Sequence, residues 1–222
     1  MALDSLLRDY VDNCVLVRKI AKFLAAVGIS PNLLSVASLV FAVFAGLFFF
    51  FAGNAPHLPF NPILLLAGIF VCLSAFLDAI DGVLAREIGN AGKKGDFLDH
   101  VLDRYSDMFI IGGIILGGYV HPRWEIGAIA LIGVLLSSYM GTQAQAVGLS
   151  RVYGGLIGRV DRLLIIIVAT LLNLIYPYPI PASGLLSVLS FSFSFLGWTI
   201  VIFAVLCNVT ALQRFFYAWK RI

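Results

Sequence analysis

Charge is what this sequence has least of. Charged side chains make up 12% of its 222 residues against 61% hydrophobic ones, and the mean hydropathy is +1.00. An ordinary soluble domain carries about 25% charged residues, so the shortage excludes that class and makes a membrane protein the default. Cysteine is scarce too: Cys14, Cys72 and Cys207 stand singly, without the close spacing of a zinc site or a redox pair. They read as apolar filler and leave the redox compartment open. His57, His100 and His121 show no ligand spacing either; His100 adjoins Asp99 but would project about 100° away around a helix. Internal repeats and low-complexity tracts are lacking. The formal net charge of +3 reads as orientation and attraction to anionic headgroups, and nothing in the sequence suggests nucleic-acid binding.

What the chain does have is apolar runs of about 20 residues, the length that crosses a hydrocarbon core of about 30 Å. Six occur, near 31–53, 62–85, 97–120, 124–147, 160–177 and 189–213, the fifth being the shortest. The expected fold is an all-α integral membrane protein, one domain over 1–222, with a six-helix transmembrane bundle across 31–213. Residues 1–29 carry charges at helical intervals rather than a cleavable signal. Leu7, Tyr10, Val11, Cys14 and Ala21 can share one face while Arg8, Asp12, Lys19 and Lys22 point elsewhere, with Arg18 intruding on the apolar face. That pattern predicts an interfacial amphipathic helix, the alternative being a packing helix outside the bundle. Ser30-Pro31-Asn32 ends it and opens the first span, proline being suited to a first helical turn.

Fourteen of the fifteen basic residues fall on one side of this arrangement and only Arg123 on the other. The positive-inside rule then puts both termini and residues 86–96 in the cytoplasm.

Seven of the twelve acidic residues crowd into residues 78–107, DAIDGVLAREIGNAGKKGDFLDHVLDRYSD. Asp78 and Asp81 are three apart at the end of span two; Asp99 and Asp103 are four apart at the start of span three, so each pair shares a helix face. A hairpin containing Gly89, Gly92 and Gly95 can bring the faces together around one cavity near the cytoplasmic surface. Burying each carboxylate costs about 2.5–3.5 kcal/mol on an insertion scale, before mutual repulsion. Hard oxygen ligands point to Mg²⁺ or Mn²⁺, and four carboxylates can hold a pair of ions. Such a site suits phosphoryl chemistry: the ions orient a diphosphate, and a carboxylate less committed to metal takes the proton of an attacking hydroxyl. Salt bridges to Arg86, Lys93, Lys94 and Arg104 are the competing explanation. Gly82, Ala85 and Gly95 would let a nucleotide or diphosphate approach the helix backbones, or would serve helix packing.

The run Asp78-x-x-Asp81-Gly82-x-x-Ala85-Arg86, eight residues, then Gly95-x-x-x-Asp99-x-x-x-Asp103 resembles the CDP-alcohol phosphotransferase signature at every defining position. The resemblance implies transfer of the phospho-lipid group of a CDP-lipid to a small polar alcohol, with release of CMP. It implies Asp78, Asp81, Asp99 and Asp103 as metal ligands and Asp103 as the base. Nucleotide contacts would come from Asp78, Gly82, Ala85, Arg86 and Gly95. The family is commonly homodimeric; Gly113 and Gly117 form a GxxxG pair usable within the bundle or between protomers.

The Asp103-Arg104-Tyr105-Ser106-Asp107 continuation and residues 137–163, SSYMGTQAQAVGLSRVYGGLIGRVDRL, are similar to the phosphatidylinositol phosphate and archaetidylinositol phosphate synthase branch. Within that resemblance Arg159 and Arg162 match its paired arginines, and Arg151 is a further candidate for an acceptor phosphate, since guanidinium forks suit one. Asp107 either takes part or pairs with Arg104. One departure stands out: Gly141 occupies a place where bacterial relatives put a basic residue, followed by Gln143 and Gln145. Inositol phosphate is the preferred acceptor, with glycerol phosphate or serine as alternatives, and the lipid is CDP-archaeol or CDP-diacylglycerol. An ion-coupled transporter is the competing class. It predicts acidic groups near the midplane and broken helices in paired halves, and neither is legible here.

Overall fold

The computed structural model describes residues 14–55, 60–89, 92–150, 152–182 and 191–222. They contain seven helices: α1 (Val15–Ala26), α2 (Pro31–Gly53), α3 (Pro62–Glu87), α4 (Lys93–Leu116), α5 (Trp124–Ala146), α6 (Arg159–Ile175) and α7 (Phe195–Trp219). A two-residue antiparallel ladder joins β1 (Ile180–Pro181) to β2 (Ser192–Phe193).

Local chemistry sets the starts of α2 and α3 and the end of α3. Pro31 and Pro62 open α2 and α3, and the side chains of Ser30 and Asn61 accept from the Leu33 and Leu64 amides at 3.3 and 3.1 Å. Asn61 also donates to the Ala52 carbonyl at 3.0 Å, which ties the start of α3 to the end of α2. Beyond α3, Gly89 takes a left-handed φ of +65°, the backbone turn that ends a helix at low cost only without a Cβ.

Helices α2 to α7 share one core. Phe49, Val71, Ile110, Ile114, Val134, Ile166, Leu196, Ile200 and Phe203 are its buried anchors. Within it α2 packs on α3 and α4, α5 packs on α7, and α6 bridges α3 and α7. The tightest seam lies between α2 and α4. A Cβ on Gly113 would overlap the Gly46 backbone, one on Gly46 the Phe109 carbonyl, and one on Gly53 the Gly117 carbonyl. The GxxxG pair is thus used inside the bundle, as small residues that let two backbones touch.

Four helices, α2, α3, α5 and α7, are long and apolar enough to cross a membrane by length and composition. The chain is an integral membrane protein with a mostly helical fold. The expected count of six spans is not established on the same footing: α6 has only 17 residues, and α4 begins with a run of charges from Lys93 to Asp107. Two boundaries also move. The expected third span, 97–120, is α4 and runs four residues earlier. The last starts at Phe195 rather than 189, because β2 pairs with β1 and Ser194 caps α7 through the Gly197 amide.

Helix α1 packs Val17, Ile20, Ala21, Leu24 and Ala25 against Leu34, Ile80, Val83 and Leu84, while Val15, Leu16, Phe23 and Val27 remain exposed beside Lys19 and Lys22. It therefore docks on the bundle through one face and keeps a second, mixed apolar and basic face outward. Arg18 lies on an exposed position rather than in the packed face. Leu7, Arg8, Tyr10, Val11 and Asp12 lie outside the described residues.

Candidate active site

The last turns of α3 and the first turns of α4 meet as the acidic spacing predicts. Carboxylate oxygens of Asp78, Asp81 and Asp99 all lie within 4.8 Å of one another, and ligand atoms of Asp99, His100 and Asp103 form a second such group. Asp81 and Asp103 are buried, while Asp78 and Asp99 are partly open. His100, set aside on spacing, stands beside this cluster: Nε2 is 3.2 Å from Asp96 and Nδ1 3.8 Å from Asp99.

Two other helices reach the cluster. From α2, Ser35 donates to Asp81 Oδ2 at 2.6 Å, and Asn32 Oδ1 would lie 3.7 Å from a Cβ on Gly95. From α6, Arg159 Nη1 bonds Asp78 at 2.6 Å and Asp103 at 2.7 Å, and its Nε is 3.8 Å from Asp107. Arg104 Nη2 reaches Asp103 at 3.2 Å from within α4. Deeper in the bundle, Arg162 and Asp107 form a 2.7 Å pair with only 2% and 3% of each side chain exposed. Such a pair is strongly position-setting, because removing either partner strands a buried charge. Asp107's hydrogen bond thus goes to α6, while Arg104 on its own helix bonds Asp103 and faces Asp107 as a neighbouring charge.

Among Asp78, Asp81, Asp99, Asp103, Asp107, Arg104, Arg159 and Arg162 there are two more carboxylates than guanidiniums, a balance that one divalent cation would neutralise. The Nε atoms of Arg104, Arg159 and Arg162 are buried with no hydrogen-bond partner among the described residues, so guanidinium capacity is left over beside the carboxylates.

The glycines here face open space. Among the described residues, a Cβ on Gly82 would meet only the Arg86 guanidinium at 3.5 Å, and one on Gly92 would meet nothing within 4 Å. Helix packing therefore does not explain Gly82 or Gly95. Arg86 is exposed at the end of α3, and Ala85 is half-buried.

Around the arginine segment the expectations divide. Arg159 joins the carboxylates, Arg162 sits behind them on Asp107, and Arg151 lies outside the described residues. Gln143 and Gln145 are exposed at the end of α5, so they do not bond within the bundle core. A Cβ on Gly141 would lie 3.0 Å from the Val152 carbonyl and 3.6 Å from Arg214 Nη1. Sequence reasoning missed Ser35, although its spacing of three from Asn32 puts it on the same face of α2. It also missed Arg214, a buried arginine in the last helix, for which a charge deep in an apolar run was the available signal.

A six-helix bundle carrying paired aspartates across one helical hairpin defines a class of membrane-embedded transferase. The model of the CDP-alcohol phosphatidyltransferase family matches residues 28–210, and the chain belongs to that family. It is 38% identical to the archaetidylinositol phosphate synthase of Pyrococcus horikoshii over 155 residues, 70% of this chain and 76% of the relative. To the enzyme of the same description from Methanothermobacter thermautotrophicus it is 31% identical over 160 residues, 72% of each. Among solved structures, phosphatidylinositol phosphate synthase of Mycobacterium tuberculosis with CDP-DAG bound superposes with a TM-score of 0.74 at 25% identity, covering 93% of this chain and 95% of that one. The same mycobacterial enzyme in complex with manganese and citrate gives 0.72, at 92% and 89% coverage. The chain is accordingly a phosphotransferase of phospholipid biosynthesis.

Proposed function

We propose that the chain joins a CDP-lipid to inositol phosphate, releasing CMP. The observation that carries this reading is Arg159, whose guanidinium lies against both Asp78 and Asp103. An acceptor with its own phosphate needs a fixed cation close to the group that deprotonates its hydroxyl, and these two features adjoin here. The names of the most similar relatives support the same acceptor.

Asp78, Asp81, Asp99 and Asp103 would hold the divalent metal, Mg²⁺ or Mn²⁺ and as a pair. Their all-oxygen set fits it; the surplus of two carboxylates over guanidiniums balances one ion, and the substrate's diphosphate would balance the second. When bound, such ions neutralise the diphosphate and stabilise charge on the departing CMP. Asp103 accepts the proton of the attacking hydroxyl. The hydroxyl oxygen forms a bond to the lipid-bearing phosphorus, and the bond from that phosphorus to the CMP phosphate oxygen breaks. Gly82, Ala85 and Gly95 give the nucleotide room beside Asp78, and Arg86 closes over its phosphates. Arg159 holds the acceptor phosphate, with Arg162 and Asp107 bracing it from behind; Arg151 is a further contact.

The same reading makes residues 1–222 one domain with six spans. The charges of α4 and α6 neutralise each other inside the bundle, which removes the main objection to counting both as spans. Positive charge puts both termini and the site in the cytoplasm of the cell membrane. The outward face of α1, with Leu16, Phe23, Lys19 and Lys22, rests on anionic lipid headgroups. A homodimer would form through surfaces other than Gly113 and Gly117, which are occupied by α2.

The test is CMP release by purified protein with Mg²⁺ or Mn²⁺, offering CDP-archaeol or CDP-diacylglycerol with inositol phosphate, inositol, glycerol phosphate or serine. Release specific to inositol phosphate, with the product identified by mass, is expected. Release with serine or free inositol alone would refute the acceptor assignment.

A further inference from the structure

The end of the bundle farthest from the aspartates holds a cavity that no step above uses. Asn61, the cap of α3, lines it, and the stretch of α3 from there to Asp81 is about 30 Å long. The cavity has a volume of about 400 Å³, inside the range of roughly 300–1,000 Å³ for small-molecule sites. Gly53 and Gly117 make room beside it for the ring of Tyr119: a Cβ on either would stand 2.9 or 3.0 Å from Tyr119 Cε2.

Two polar groups on the cavity lack partners. Asn173 of α6 is only 4% exposed. Its Oδ1 accepts from the Leu196 amide at 3.2 Å, and its Nδ2 has no hydrogen-bond partner among the described residues. The Tyr119 hydroxyl has none there either. Both residues line the cavity, and a buried donor left unmet is a cost that a ligand oxygen removes.

The walls are aromatic and uncharged. Tyr178 and Phe193 join Tyr119 around the cavity, and no Asp, Glu, Lys or Arg lines it among the described residues. Arg123, the nearest basic residue along the chain, is engaged with Glu125 at 3.4 Å and with the ring of Phe191. An inorganic anion or a metal ion would meet no opposite charge here. A sugar or polyol ring fits instead, because its hydroxyls can bond amide and phenol groups while its C–H faces lie on aromatic rings. We propose that this cavity binds an uncharged, hydroxyl-rich ring, held by the Asn173 amide and the Tyr119 hydroxyl and flanked by Tyr178 and Phe193. The ring can come from a free polyol or from the glycosyl headgroup of a neighbouring lipid, since both present the same hydroxyls. The site stands apart from the carboxylates, so an error in the acceptor alcohol would leave it untouched.

The experiment uses the full-length protein in phosphatidylcholine nanodiscs, purified without glycosidic detergents. Native mass spectrometry follows retention of monoglucosyl diacylglycerol, and saturation-transfer NMR follows D-glucose and myo-inositol in solution. Expected is saturable binding of the glucosyl lipid or of a free ring that phosphatidylglycerol does not displace. Tyr119→Phe removes only the hydroxyl, Tyr178→Ala removes an exposed wall, and Asn173→Asp keeps an acceptor for the Leu196 amide while losing the free donor. Each should weaken binding about tenfold, while CMP release stays within about twofold because the carboxylates are distant. Retention of the lipid alone would name a lipid headgroup as the source, and binding of glucose or inositol a free polyol. Displacement by phosphatidylglycerol, undiminished binding in both Tyr119→Phe and Tyr178→Ala, or no binding of any of the three probes would overturn the proposal.

Discussion

Two ends of the same helix, α4, use small residues in opposite ways. Toward its C-terminus Gly113 and Gly117 press on Gly46 and Gly53 of α2, and no side chain could be added to Gly113 without moving backbone. At its N-terminus Gly95, and Gly82 across the hairpin on α3, touch almost nothing, although they stand beside Asp78, Asp81, Asp99 and Asp103. The first end is built for helix-to-helix contact, and the second is the end proposed to take a ligand. A short residue is therefore informative only with its surroundings: where a neighbour fills the space it reports packing, and where none does it reports clearance.

Substitutions should separate the ends cleanly. The largest expected effect is at the open end: Asp103→Asn removes the proposed proton acceptor and should lower turnover by about 10²–10⁴-fold, while CDP-lipid binding and the melting temperature of the detergent-solubilised protein change little. At the closed end, Gly113→Val forces a branched side chain into the Gly46 backbone. It should destabilise the bundle by about 3 kcal/mol or more, visible as loss of monodisperse protein in size-exclusion chromatography. The smallest effect sharpens the contrast most. Gly82→Ala places a methyl in open space and relieves a mid-helix glycine cost of about 0.5–1 kcal/mol, so stability should hold or rise. On the proposed placement of the nucleotide, the same methyl intrudes on its approach and should raise the CDP-lipid KM about tenfold, equivalent to about 1.4 kcal/mol. A drop in stability with normal kinetics would assign Gly82 to packing instead.

The contrast also marks what the sequence could reveal. Asp78 with Asp81 and Asp99 with Asp103 are legible because each pair lies within one turn of one helix, and a short hairpin joins the two. Helix starts at Pro31 and Pro62 are legible for the same local reason. The partners of those residues are not. Ser35 meets Asp81 across 46 positions, Arg162 meets Asp107 across 55, and Arg214 meets Ser137 across 77. Each of these depends on which helices become neighbours, and apolar faces of similar composition do not specify that. Arg104 and Asp107 illustrate the limit: three apart on one helix, they look like a pair, yet the burial of Arg162 draws Asp107 to α6. The last span misled for a related reason, since Phe191, Phe193 and Phe195 make the stretch apolar enough for a helix until β1 pairs with Ser192 and Phe193.

The central claim is that the carboxylates at the open end of α3 and α4 form a divalent-metal site. Mn²⁺ titration followed by electron paramagnetic resonance tests it directly, on purified wild type and on Asp81→Asn, which keeps an acceptor for Ser35 but loses the charge. Saturable binding in the wild type and at least tenfold weaker binding in the variant is the predicted result; equal Mn²⁺ affinity in the two proteins would contradict it.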